Sequence, residues 1–263
     1  MSASLDSIIN DMIKDSPPGE LHNVVSDIKT IIQDDQKDLS SSIEDFLTDD
    51  FELIQLKNDY TVISKHNKEG SKYVDYDSKT KFNVDFKKLV AIDLEEFELE
   101  LSDDYLKLNK SLKTYVQEHF PSHFKSILIE NENDFIIIIL DLKFSPKNFY
   151  NGKWSSFYKY DKVSQQVSGK IKINVHYFED GNVRLITDKK LEDSKVEFND
   201  LVSFINNFEN DFEKHVLIQF QELNEKYFKN LRRQLPINRA KVQWGRSINN
   251  YKLGQDVAGG KDV

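Results

Sequence analysis

Asp134-Phe135-Ile136-Ile137-Ile138-Ile139-Leu140-Asp141 contains the longest apolar run in the chain, six residues between two aspartates. A membrane span needs about 20 such residues. A half-solvated strand alternates apolar with polar residues, and this run does not, so it reads as a strand buried on both faces. Outward from it, Phe124–Ile129 predicts a partner strand joined through Asn131-Glu132-Asn133, with the central strand reaching Phe144. Asn151-Gly152 and Asp180-Gly181 favour positive φ and predict hairpin turns. Trp154–Tyr160, Val167–Phe178 and Val183–Thr187 then complete an antiparallel meander of about five strands.

A long helix follows. Ser194-Lys195-Val196-Glu197 has the spacing of a capping box. Phe198, Leu201, Ile205, Phe208, Phe212, Val216, Phe220, Leu223, Tyr227 and Leu231 then step by three or four. At 1.5 Å per residue that stripe runs roughly 50 Å. One narrow sheet offers little surface for so long an apolar stripe, so a second subunit that extends the sheet and covers an edge strand is expected. Pro236 breaks the helix. Beyond it Trp244, Ile248 and Tyr251 fall at i, i+4 and i+7 among Arg239, Lys241, Arg246 and Lys252. Gly254, Gly259 and Gly260 end any helix there, and the last ten residues are expected to be mobile.

Upstream, Leu5, Ile8, Ile9, Met12 and Ile13 predict one helix, and Val24, Val25, Ile28, Ile31 and Ile32 a second. Ser16 is read as the cap of that second helix, with Pro17 at its first position. Ile43, Phe46 and Leu47 predict a third. Leu53–Leu56 and Tyr60–Ser64 are strand-like about a turn at Lys57-Asn58-Asp59. A further helix is expected over 103–118, stopped by Pro121. The fold class is α+β, in four parts. These are an N-terminal helical bundle over 1–50, a small β-rich segment over 51–102, an antiparallel sheet with its flanking and long helices over 103–234, and a mobile amphipathic tail over 235–263.

The chain has 263 residues, 38% hydrophobic and 12% aromatic, enough to fold rather than remain disordered. It has no cysteine, which excludes disulfides, thiolate nucleophiles and thiolate metal sites. Its start, Met1-Ser2-Ala3-Ser4-Leu5-Asp6, lacks the basic and apolar regions of a secretory signal. Charge is divided unevenly. Residues 226–263 hold nine Lys or Arg against two acids, net +7, which leaves −16 on residues 1–225 of the chain's −9. A basic end on an acidic body suits an acidic partner, because opposite potentials steer encounter. Nucleic acid fits poorly: the body would repel phosphate, and the basic end has one Trp and two Tyr for stacking.

No chemical site stands out. His119 and His123 have zinc-like spacing, but Pro121 between them breaks the helix that would align them. Glu179-Asp180-Gly181-Asn182 lacks the alternating ligands and closing Glu of a calcium loop. Gly152-Lys153 has no glycine-rich loop before it, and neither G-x-S-x-G nor G-x-G-x-x-G occurs. The chain is read as a non-enzyme without metal or cofactor.

Four segments resemble the alpha subunit of the F-actin capping protein. They are Ser16-Pro17-Pro18-Gly19-Glu20-Leu21; Asn148-Phe149-Tyr150-Asn151-Gly152-Lys153-Trp154-Ser155-Ser156; Val175-His176-Tyr177-Phe178-Glu179-Asp180-Gly181-Asn182-Val183; and Phe228–Pro236 with Ile237–Trp244. Residues 33–115 match weakly, and Ile63–Gly70 is most similar to fungal members. The resemblance implies an obligate heterodimer with a beta subunit, the two sheets joined into one, a long helix from each lying across it. It further implies calcium-independent binding to the barbed end of the actin filament, in the cytoplasm and the cortical actin cytoskeleton. Carried over by motif, Lys229, Arg233 and Arg239 are the basic actin contacts and Trp244 the tail tryptophan. Trp244, Ile248 and Tyr251 are expected to dock as helix-in-groove anchors, each worth roughly 1.5–3 kcal/mol on full burial. Ile237-Asn238-Arg239-Ala240 departs from the usual Val-Thr-Arg-Thr, and Ser155 replaces a common arginine. Gly245 costs about 1 kcal/mol in a helix relative to Ala, so the tail helix is expected to form on binding. The competing reading is a basic amphipathic tail that binds phosphoinositide lipid.

Overall fold

The computed structural model describes residues 4–120, 123–178, 182–223 and 225–226. Three short helices come first: α1 (Leu5–Lys14), α2 (Leu21–Ile32) and α3 (Ser40–Asp49). Ser4 caps α1, its Oγ accepting from Ser7 N. The helices bury Ile9, Ile13, Ile28 and Leu39 against one another. The expected cap at Ser16 is not formed. Ser16 N donates back to Ile13 O, and α2 starts at Leu21 behind a Pro17-Pro18-Gly19 turn. Gly19 takes φ +75°, and a Cβ there would stand 3.0 Å from the Phe144 ring, so the turn admits only glycine without strain.

Six strands follow: β1 (Glu52–Leu56), β2 (Asp59–Ile63), β3 (Lys68–Glu69), β4 (Lys72–Asp75), β5 (Thr80–Asp85) and β6 (Val90–Glu96), in the order β2-β1-β6-β5-β4-β3. Buried Asn67 holds this sheet's tight loop. Its Oδ1 accepts from Ser64 N and Oγ, and its Nδ2 donates to Val62 O and Val74 O. α4 (Asp103–His119) is capped by Ser102, whose Oγ accepts from Tyr105 N.

The second sheet is the meander: β7 (His123–Glu130), β8 (Asp134–Ser145), β9 (Tyr150–Asp161), β10 (Gln166–Tyr177) and β11 (Val183–Lys195), antiparallel throughout in the order β11-β10-β9-β8-β7. Phe135–Leu140 is buried throughout. Ile137 and Ile139 face α4 and α5 (Leu201–Leu223), while Ile136, Ile138 and Leu140 pack on Leu53 and Val62 of the first sheet. A strand sandwiched this way cannot alternate, which explains the run.

Three local expectations are corrected. Asn151-Gly152 lies inside β9, paired with His176 and Val175. The connection from β8 is instead a 3-10 turn at Pro146–Asn148, closed by Phe149 at φ 56°. β11 continues beyond Thr187 to Lys195. Ser194 and Lys195 pair with Val167 and Gln166, so they are committed to the ladder and form no capping box. The helix opens instead with a 3-10 turn at Phe198–Asp200. The Asp180-Gly181 turn lies outside the described residues.

Candidate partner-binding surface

The six residues expected to meet actin are Lys229, Arg233, Arg239, Trp244, Ile248 and Tyr251. All lie beyond Lys226, outside the described residues. What the structure defines is the platform that carries them, and above all how α5 is fixed to the sheet.

Leu201, Ile205 and Phe212 are buried against β8, β9 and α4, with Phe198 of the preceding 3-10 turn beside Tyr160 and Phe212 of the helix beside Trp154. Glu209 sits in the same stripe with only 3% of its surface exposed. Tyr115 Oη donates to its Oε2 at 2.5 Å and Tyr158 Oη to its Oε1 at 2.8 Å. Burial pushes the Glu209 carboxyl above its ordinary range, against the pull of hydrogen bonds from Ser156, Tyr115 and Tyr158. Burial, then the Glu209 charge, raise both tyrosines. Trp154 extends the cluster, its Nε1 donating to Ser156 Oγ at 2.8 Å. Apolar packing alone would let α5 slide by a turn, whereas this polar knot has one register. The helical spacing that revealed the stripe gave no hint of it, because a glutamate between Phe208 and Asn210 reads as solvated.

On the opposite face of the sheet, the first three resemblance segments converge. Glu20 Oε1 lies 2.5 Å from His176 Nδ1 and 3.5 Å from Asn151 Nδ2. Arg184 donates to the carbonyls of Asp15 and Ser16 and to Asn174 Oδ1. Lys153, 6% exposed, reaches Asp50 at 2.9 Å, Glu52 at 3.7 Å and Phe51 O at 2.6 Å, with Lys172 on the other oxygen of Asp50 at 2.5 Å. Burial works to raise Asp50, but Lys153 and Lys172 outweigh it and hold the carboxyl low. Glu52, more deeply buried, is pushed up. Burial would lower Lys153, and the two carboxylates reverse this and raise it. These contacts lock the N-terminal helices and first sheet onto the meander.

Two of the exposed apolar features lie on the outer edge of the sheet and on α5. β11 forms the outer edge of the sheet, with Val183 and Ile186 about half exposed. Leu217 and Ile218, off the sheet-facing stripe of α5, are 55% and 56% exposed. Among the described residues no group of three His, Asp or Glu could hold a metal, and no helix is long and apolar enough to cross a membrane. His119 turns its Nδ1 to Tyr115 O at the end of α4.

A sequence model of the F-actin capping protein alpha subunit matches residues 9–256. This chain belongs to the F-actin capping protein alpha subunit family. F-actin-capping protein subunit alpha of Candida glabrata is 40% identical over 99% of this chain and 100% of its own length. The Saccharomyces cerevisiae subunit is 36% identical over 99% of each. In fold, the chain is similar to the homodimeric actin capping protein alpha subunit from Plasmodium berghei. That likeness has a TM-score of 0.61 and 22% identity, and covers 84% of this chain and 95% of the other. The family match runs through all six expected contact positions.

Proposed function

We propose that this chain is the alpha half of a heterodimeric cap that binds the barbed end of the actin filament and blocks subunit addition and loss there. The observation that carries this reading is the family match over residues 9–256, which includes the basic tail. The chain divides as its sequence suggests, at about 50, 102 and 234. The filament contact is made through Lys229 and Arg233, just before the last boundary, and through Arg239, Trp244, Ile248 and Tyr251 beyond it. The beta subunit takes the outer edge of β11 and the exposed side of α5, where a partner strand would satisfy the open N–H and C=O groups. The cap works in the cortical actin cytoskeleton of the cytoplasm.

Nothing in this role calls for calcium or nucleotide on this subunit. Phosphoinositide lipid, drawn to the same +7 segment, would act as a competitor for actin rather than as the main partner. The test is seeded actin assembly watched at barbed ends, with the chain alone and paired with a beta subunit, in EGTA. The pair is expected to stop growth and loss at barbed ends alone. Unimpeded growth would refute capping. Salt-sensitive binding to anionic vesicles that needs Trp244, without any effect on actin, would make lipid the main partner.

A further inference from the structure

Glu209 stands at the last firm anchor of α5. Beyond Phe212 no described residue of the helix is buried; Val216 and Phe220 are half-buried, and Leu217 and Ile218 are exposed. From Glu209 to Leu223 the helix still rises roughly 21 Å, at 1.5 Å per residue. A tilt of about 10° at Glu209 therefore moves Leu223 by about 4 Å. Lys229 and Arg233 follow within ten residues of Leu223. At the anchor, the carboxylate is gripped on both oxygens from two different elements. Tyr115 of α4 donates to Oε2 at 2.5 Å and Tyr158 of β9 to Oε1 at 2.8 Å. Edge-on ring contacts tie the same elements together, Tyr115 on Phe120, Phe120 on Trp154 and Trp154 on Phe212. α4 is itself fixed to the turn between β4 and β5, where Asn109 Nδ2 donates to Asp77 Oδ1 at 2.6 Å and Lys113 Nζ pairs with Asp77 Oδ2 at 3.0 Å.

We infer that Glu209 is a positioning residue for filament binding: held by Tyr115 and Tyr158, it fixes the rotation and tilt at which the outer half of α5 continues past the anchor, and so aims the basic contacts that follow. Stability alone does not account for a glutamate at this place. Its stripe position lies between Ile205 and Phe212, where an apolar side chain would pack without the cost of burying a carboxyl. What the carboxylate adds is direction. A leucine there meets similar neighbours over a range of rotations, whereas two hydroxyls on two oxygens are satisfied at one. A buried polar contact specifies one arrangement in this way where apolar packing accepts several. The outer half of the helix works as a lever on that grip, and a binding constellation has to be held within about 10–20° of its productive geometry.

The consequence for capping rests on the proposed function, and the test reads the two apart. The chain has no cysteine. Gln117→Cys on α4 and Gln221→Cys on the outer half of α5, both exposed, therefore carry two spin labels in the full chain paired with a cysteine-free beta subunit. Electron–electron double resonance gives the distance between them, and single-filament kinetics gives the capping rates of the same variants. The parent should show one narrow distance, and so should Glu209→Gln, whose amide accepts from one hydroxyl and donates to the other. Glu209→Leu and, independently, Tyr115→Phe with Tyr158→Phe should spread or shift that distance by about 3 Å or more. Both should cap with an association rate at least about fivefold lower while sedimentation shows the heterodimer intact, and the Gln variant should cap as the parent does. An unchanged distance in both loosened variants, or a Gln variant as loose as the Leu variant, would overturn the grip. Loss of the heterodimer in both loosened variants would overturn the positioning role in favour of a structural one. A changed distance with the parent's capping kinetics would overturn the link to filament binding. A parent pair that does not cap would overturn the capping reading and that link with it, while the distances still judge the grip.

Discussion

At the residue scale, the chain is held together by a few buried charges whose partners come from distant segments. Lys153 is the clearest case, since it pairs with Asp50 and Glu52 while its own side chain is almost fully buried. Lys153→Met keeps the volume, strands Glu52 and leaves Asp50 with Lys172 alone. Breaking a buried pair in this way costs about 3 kcal/mol or more. The expected outcome is a lower urea midpoint for the paired protein, partly restored by adding Glu52→Gln, which shows the coupling directly. Glu209 behaves differently, because burial raises its pKa above the ordinary 4.5. The folded state then holds a proton that the unfolded state releases. This contribution is full below about pH 4.5 and is lost as pH rises through the folded value. Glu209→Gln should therefore fold well and flatten the fall in stability with rising pH. Glu209→Leu should cost about 1–3 kcal/mol by stranding the hydroxyls of Tyr115 and Tyr158. Urea unfolding across a pH series distinguishes them, and equal slopes for parent and Gln variant would remove Glu209 from the account.

At the element scale, α5 has two kinds of surface. Its stripe through Leu201, Ile205 and Phe212 is satisfied by the sheet, while Leu217 and Ile218 face outward. Leu217→Asp with Ile218→Asp should leave the described fold intact and weaken association with the beta subunit. Sedimentation of the pair at falling concentration reads this, and an unchanged dissociation profile would place the partner elsewhere. The tail divides further. Lys229, Arg233 and Arg239 flank Pro236 and should act during encounter, so reversing their charge should slow association and flatten its salt dependence. Trp244 should act after docking, so Trp244→Ala should mainly speed dissociation. Single-filament kinetics separates the two rates. A trio variant with the parent's on-rate at low salt, or a Trp244→Ala variant that falls apart as a dimer, would reverse these roles.

At the scale of the whole molecule, an open edge strand together with an exposed apolar helix face is a liability for a lone chain. Expressed without a beta subunit, the chain should aggregate or stay with chaperones. A monodisperse monomer in sedimentation would contradict obligate pairing, and a stable dimer of this chain would redirect it to self-pairing. Much of this architecture was legible beforehand. Apolar run length fixed β8 as doubly buried, and three-to-four spacing fixed α5, because each pattern reports a local geometry that the residues themselves impose. Turn chemistry was read less well: Asn151-Gly152 suits a hairpin, yet both residues sit in β9, with Asn151 beside Glu20 from the other end of the chain. The capping box failed in the same way, since Ser194 is claimed by β10 before the helix can use it. The sequence by itself determined the class of fold, the family and the division into acidic body and basic tail, all of which rest on composition, period and motif. Only the tertiary structure decided which polar residues are buried together. Glu209 with Tyr115 and Tyr158, Lys153 with Asp50, and His176 with Glu20 are separated by 51 to 156 positions. Desolvation acts on what surrounds a charge in space, and no local pattern encodes that.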